Sequence, residues 1–442
     1  MILKKTNAVF FFFMCTLIVF ACNRKKSTLK LDFDNLQNIC VNRLTDVIVY
    51  DIFNPPVASR IYAYSNLAYY EALRYKVKNT NSIVVKMKGF SPMPIPTPGK
   101  VYNYNLSAVK AFFKVGKALT FSKDTLKVTE EKLLDEFHNT LEEDVYINSI
   151  SFGDTIAATI LKRCATDNYK VTRGMPKYTI NSNTGIWQPT PPDYFDAVEP
   201  HWDIIKPFLL DSNTQFAPPP PPAFSLNKNS QYYKELMETY TIGKNLSLQQ
   251  DTIAHYWDDN AFVTQHDGHL TYASKKTTPP GHWMGIIAIL CKLKKADEIK
   301  TAGVYALASA AMFDGFITCW TEKFKSKTIR PITVIQENID RNWNALLQTP
   351  PFPEYISGHS VISSASATIL AEIFGNETSF TDTTEMKYLG LKRYFASIDK
   401  AALEVGTSRI YGGIHYRSAI NEGRKQGQCI GKLYLEKINE QK

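Results

Sequence analysis

The chain has no cysteine pair at metal-ligand or redox spacing. Its seven cysteines (Cys15, Cys22, Cys40, Cys164, Cys291, Cys319 and Cys429) include no CxxC, which excludes zinc-ribbon and thioredoxin-type chemistry. It has no arginine-rich tract and no basic stripe interleaved with aromatics. The formal charge of +9 is dispersed, so the electrostatic footprint of a nucleic-acid binder is missing. Runs of alternating β-branched residues are lacking, which argues against a large sheet. Beyond the N-terminus no apolar run reads as long enough to cross a bilayer. A composition of 44% hydrophobic, 21% charged and 12% aromatic residues excludes extensive disorder. At 442 residues the chain exceeds one small core.

What is present begins with Lys4 and Lys5 ahead of an apolar run from Ala8 to Phe20. That run is shorter than the roughly 20 residues that span a bilayer, so residues 1–21 read as a cleaved signal peptide. Val19-Phe20-Ala21 before Cys22 resembles a bacterial lipoprotein signal, in which the cysteine is lipidated. The expectation is an exported lipoprotein, tethered to the membrane through Cys22 and residues 22–37 and facing the periplasm. Loss of Cys15 and lipidation of Cys22 leave five cysteines, an odd number, with buried thiols the plain expectation.

From Cys40 to Lys76 apolar residues recur at helical spacing: Val47, Tyr50, Ile61, Tyr64, Leu67, Tyr70 and Leu73 form one buried stripe. Helices are expected near 104–118, 126–145 and 148–168, then near 229–243, 247–261, 282–295, 297–319, 358–375, 384–403 and 415–438. Between the two sets, residues 173–222 carry Trp187-Gln188-Pro189-Thr190-Pro191-Pro192, His201-Trp202 and the run Pro218 to Pro222. Proline bars a helix there, while the aromatics suggest a loop packed back on the body. The fold class is all-α in two helical bundles: an N-terminal domain over 38–228 including the proline-rich loop, and a C-terminal domain over 229–442.

Three short segments of the second bundle carry chemistry. Six residues separate Lys323 from Arg330-Pro331; Ser357-Gly358-His359 forms a turn; and five residues separate Ser408-Arg409 from His415. Two guanidinium forks and an ammonium neutralise a multiply charged oxyanion. A Ser-Gly turn opening a helix adds amide donors and the positive end of the dipole, with Ser357 as the cap. Gly358, without a Cβ, lets the anion approach the backbone. Of the two histidines, one can attack or ligate the central atom and the other can act as acid–base. His266 and His269 flank Asp267 without a further ligand cluster and read as a surface loop.

These segments resemble the superfamily of type 2 phosphatidic acid phosphatases and vanadium-dependent haloperoxidases, whose K-x6-RP, SGH and SR-x5-H pattern is met at every signature position. Trp320, the string Pro350-Pro351-Phe352-Pro353-Glu354-Tyr355, and Thr278-Pro279-Pro280-Gly281-His282-Trp283 resemble the soluble haloperoxidase branch. The resemblance implies that Lys323, Arg330, Ser357, Gly358 and Arg409 hold vanadate, or phosphate in the same site. It further implies that His415 bonds to vanadium or attacks phosphorus, and that His359 is the acid–base. Trp320 and Phe352 would form the halide pocket, phenylalanine at 352 pointing toward chloride. The implied function is oxidation of halide by hydrogen peroxide at a vanadate that works as a Lewis acid. A periplasmic acid phosphatase acting on a phosphomonoester and a non-catalytic oxyanion-binding lipoprotein are the alternatives. One departure weighs on turnover: the aspartate usual four residues after the terminal histidine is Ala419 here, with Glu422 a possible substitute. Asp258 and Asp259 resemble a region whose acid pairs with the arginine before that histidine.

Overall fold

The computed structural model describes residues 32–439; the leader, Cys22 and most of the tether lie outside them. Six helices come first: α1 (Leu36–Tyr50), α2 (Pro55–Leu73), α3 (Tyr104–Leu119), α4 (Lys123–His138), α5 (Glu143–Cys164) and the single turn α6 (Tyr169–Thr172). After the proline-rich segment come α7 (Gln231–Lys244), α8 (Leu248–Tyr256), the hairpin β1 (Phe262–Asp267) and β2 (Leu270–Lys275), α9 (Pro279–Leu293) and α10 (Glu298–Ser326). The chain closes with α11 (Pro331–Asn338), α12 (Gly358–Phe374), the hairpin β3 (Phe380–Asp382) and β4 (Arg393–Phe395), α13 (Ile398–Tyr411) and α14 (Arg417–Asn439). The fold is all-α as expected, with two small antiparallel hairpins added.

Side-chain caps set many of the helix starts. Asn54 caps α2 ahead of Pro55-Pro56, Thr278 caps α9 ahead of Pro279-Pro280, Asp297 caps α10, and Ser247 with Gln250 forms a capping box on α8. Helix α10 runs through the middle, packed on α2 on one side and α12 on another, and α12 in turn packs on α14. By length and apolarity α10 alone among the described residues could cross a membrane, contrary to the sequence expectation, yet 94% of that stretch is buried. Its Asp314 accepts the N–H groups of Phe208 (2.8 Å) and Leu209 (2.9 Å) and the Tyr434 hydroxyl (3.0 Å). One buried carboxylate thus ties the proline-rich segment and α14 to the central helix.

Residues 173–222 do pack back on the body. Trp187 and Trp202 are fully buried, Trp187 N–H donates to Lys327 O (2.7 Å), and Val198 N–H donates to Pro351 O (2.9 Å). Three expectations fail. Tyr50 is 66% exposed, because α1 ends there and the Lys275 ammonium sits 4.6 Å above its ring. The helix expected over 384–403 starts only at Ile398, where Ser397 caps it; before it Phe380 pairs with Phe395 and Asp382 with Arg393. The helix expected to 261 stops at Tyr256, and His266 lies on β1, where Nε2 is 2.8 Å from Asp193 Oδ1. Gly268, at φ +57°, makes the turn of that hairpin.

Candidate active site

Each residue expected to grip the anion comes from a helix end. Lys323 lies in the last turn of α10, fully buried, and its Nζ donates to the carbonyls of Pro353 and Glu354, both at 2.9 Å. No carboxylate neutralises it, and burial pulls the ammonium down to about 7. Arg330 is the N-cap residue of α11, with Pro331 at the first helical position. Its Nε donates to Phe352 O (2.9 Å) and one terminal nitrogen to Ile414 O (2.7 Å). The other terminal nitrogen is buried without a hydrogen-bond partner, and burial lowers the guanidinium to about 10.

Arg409 ends α13. It donates to Trp257 O (2.6 Å) and to Ser408 Oγ (3.0 Å), and lies 3.3 Å from Nε2 of His359. The acids expected to pair with it do not touch it: Asp258 binds Lys276 (2.9 Å) and Asp259 binds His282 (2.9 Å). They act on Arg409 through charge alone, offsetting part of the lowering that burial causes.

Ser357 caps α12, its Oγ accepting from Ser360 N–H (3.3 Å). Its own N–H donates to Ala419 O (3.0 Å), so the amides of Gly358 and His359 are the ones left at the helix mouth. A Cβ on Gly358 would lie 3.3 Å from the Trp320 ring and 3.7 Å from that of Phe316. The glycine is therefore needed for packing against α10 as well as for backbone access.

His415 is 2% exposed. Its Nδ1 donates to Glu354 Oε1 at 2.6 Å, and that oxygen also accepts Tyr416 N–H at 2.9 Å. The Nε2 lone pair is left facing Arg330, 3.4 Å away. Burial, then the charges of Arg330 and Lys323, hold this imidazole well below its usual range, hence neutral. Glu354 is pushed up to about 7 by its own burial, against the pull of Arg330. The missing support behind His415 is thus supplied from another segment. Ala419 instead offers its carbonyl to Ser357, and Glu422 is engaged by Lys425 at 2.7 Å. Glu354 was missed as a functional residue, although it stands three positions before Ser357 in a string singled out for other reasons.

His359 is only partly buried and borders two cavities. One, of about 30 Å³, is enclosed by Trp320, Phe352, Gly358, His359, Ile414 and His415 among others. The other is a vestibule of about 540 Å³ lined by Phe195, Phe262, Phe352, His359 and Arg409 among others. Burial and the neighbouring Arg409 hold His359 neutral, well below its usual range. The Trp320 and Phe352 rings meet tilted by 50°, their centroids 4.9 Å apart, and the Lys323 ammonium lies 5.0 Å from the Phe352 ring. All nine sequence-predicted site residues in the described region therefore meet at one place. The four described cysteines other than the exposed Cys429 are buried free thiols.

The site suits an oxyanion. Three buried cations lack a carboxylate partner within bonding distance, one Arg330 nitrogen is orphaned, and the lone pair of a neutral imidazole points at them. Such a set is costly when empty of negative charge.

The family described as the VCPO second helical-bundle domain matches residues 303–441. The solved structure of a bacterial vanadium-dependent iodoperoxidase aligns with a TM-score of 0.86 and 43% identity, over 91% of this chain and 96% of that one. Bacterial vanadium-dependent chloroperoxidases in holo and apo forms align with TM-scores of 0.68 and 0.67 at 17% and 18% identity, over 88% of this chain and 93% and 95% of theirs; they share the fold. No curated protein matches. With that likeness spanning nearly the whole of both chains, the chain belongs to the vanadium-dependent haloperoxidases.

Proposed function

We propose that this protein oxidises a halide, iodide first, with hydrogen peroxide, using vanadate held by Lys323, Arg330, Ser357, Gly358 and Arg409 and bonded to Nε2 of His415. The observation that carries the reading is the 2.6 Å contact between His415 Nδ1 and Glu354, which fixes the tautomer and frees Nε2 as a ligand. When bound, vanadate supplies Lewis-acid activation of peroxide at constant oxidation state. The chain's own residues do the rest. Lys323, Arg330 and Arg409 neutralise the anion, and the orphaned Arg330 nitrogen gains an acceptor. His359, neutral and open to the vestibule, takes a proton from the incoming peroxide and returns it to the departing oxygen. Trp320 and Phe352 wall the cavity on the halide side. Phe352 alone pointed toward chloride; the 43% identical relative is named for iodide, which is why iodide is placed first.

The test uses the chain from residue 30 onward, loaded with orthovanadate and assayed with peroxide and each halide, beside p-nitrophenyl phosphate without vanadate. Triiodide formation that His415→Ala abolishes is the expected result. Phosphate-ester hydrolysis without halide oxidation would replace this reading with the phosphatase, in which His415 attacks phosphorus and His359 is the acid–base. Vanadate binding with neither activity would leave an oxyanion-binding protein. Residues 1–21 are proposed as the export signal and Cys22 as the lipid anchor, on the strength of the apolar run and its flanks. Fatty-acid labelling that persists in Cys22→Ser would remove that anchor.

A further inference from the structure

A second cluster includes Asp259 and bonds to none of the anion-gripping side chains. His282 on α9 is fully buried between carboxylates: Nδ1 is 2.9 Å from Asp259 Oδ1, and Nε2 is 2.8 Å from Asp382 Oδ2. Glu385 brings Oε1 to 3.7 Å from the same Nδ1. That oxygen has no hydrogen-bond partner although Glu385 is only 2% exposed. Three buried carboxylates face one imidazole, and the nearby ammonium of Lys276 is engaged by Asp258 at 2.9 Å. Charge is left unbalanced in a place where it is expensive.

We propose that Asp259 Oδ1, His282 Nδ1 and Glu385 Oε1 bind a first-row divalent cation, with zinc the best fit. The three atoms lie within 4.8 Å of one another. A tetrahedral zinc with bonds of about 2.0–2.1 Å separates its ligands by about 3.4 Å, which falls between the two distances to Nδ1. Asp382 on the far nitrogen is the outer carboxylate that metal-bound histidines commonly carry, and it fixes the tautomer with the lone pair on Nδ1. One imidazole with two carboxylates suits zinc better than calcium or magnesium, which prefer all-oxygen shells. Asp259 also lines the vestibule, which gives the ion a way in. Binding displaces two protons to solvent, one from His282 Nδ1 and one from the Glu385 carboxyl, while the Nε2 proton stays in its hydrogen bond to Asp382. The rival occupants are protons. In that state, despite its burial, His282 is held as an imidazolium by Asp259 and Asp382, and Glu385 is a neutral acid, its carboxyl pushed up to about 8 by burial.

The two states separate in one set of measurements on vanadate-free protein. Metal content by plasma mass spectrometry should give about one divalent equivalent per chain. Chelator-stripped protein should take zinc back in a calorimetric titration. Glu385→Gln and Asp382→Asn should each weaken that uptake on the order of 10–100-fold at unchanged helical circular dichroism. Should either variant fail to fold, zinc-edge absorption on the wild-type protein decides: a single imidazole among oxygen ligands supports the site. No uptake by the stripped wild type, uptake undiminished in a folded Glu385→Gln, or a shell of several imidazoles or any thiolate would overturn it. Halide oxidation is assayed separately, so failure here leaves the vanadate reading intact.

Discussion

On the proposed function, Glu354, 2.6 Å from His415 Nδ1, decides which nitrogen of that ring faces the anion. Glu354→Gln should preserve the fold and lower vanadate affinity and halide turnover on the order of 10–100-fold, read by vanadate titration and steady-state rates. Lys323 and Glu354 also set a pH window. The anion needs Lys323 charged, which burial confines to pH below about 7 in the free protein. His415 needs Glu354 ionised, which the same burial confines to pH above about 7. Vanadate affinity should therefore peak near pH 7 and fall on each side by at most about one decade per unit; an affinity flat from pH 5 to 9 would contradict both shifts. For stability the sign differs. Lys323 has a lowered folded pKa, so its contribution, present above the unfolded lysine range of about 10.4, is lost as pH falls toward 7. Vanadate-free protein should gain melting temperature from this group between pH 7 and 9, and bound oxyanion should suppress that gain. The gripping residues were legible because each carries its charge in a short local motif. Glu354 was not, because its partner lies 61 positions away and only the fold brings them together.

At the scale of elements, the site depends on how closely α14 lies against α12. Gly423, Gly427 and Gly431 recur at one-turn spacing, and a Cβ on each would come within 2.8, 2.1 and 2.8 Å of the carbonyls of Ser357, Val361 and Ala365. Gly427→Ala has backbone, not a flexible side chain, in its way. It should destabilise by about 1–3 kcal/mol or more in denaturant melts, and weaken vanadate binding by displacing Ser357 and Gly358. The starts of α7, α8 and α12, capped by Ser230, Ser247 and Ser357, were placed from sequence to within a few residues, whereas α11, opened by Pro331, was not foreseen. The stretches 257–261 and 384–397 were expected as helix and are not α-helical; in the second, Arg393–Phe395 pairs instead with Phe380–Asp382 in a short hairpin. Arg393 is also held by Glu404 at 2.7 Å.

At the scale of the whole molecule, α10 belongs to both halves of the chain. A fragment of residues 229–442 would expose the face that α2 covers and strip Asp314 of the amides of Phe208 and Leu209. It should aggregate or lose cooperative melting, as sedimentation and calorimetry would show; a folded fragment that binds vanadate would make the C-terminal bundle autonomous. The proline-rich break marks the expected join between the two bundles, and sequence does not reveal that Val198 and Trp187 bond to Pro351 and Lys327 across it.

The ribbon Phe352-Pro353-Glu354 is held at four points by the site it serves: Phe352 O by Arg330, Pro353 O and Glu354 O by Lys323, and the Glu354 carboxylate by His415. The ring proposed to shape the halide's surroundings and the carbonyls that hold Arg330 and Lys323 ride on one rail. On the proposed function, halide preference and cofactor retention should therefore shift together. Phe352→Ala should move both together, shifting the ratio of iodide to bromide turnover and raising the vanadate Kd in the same preparation.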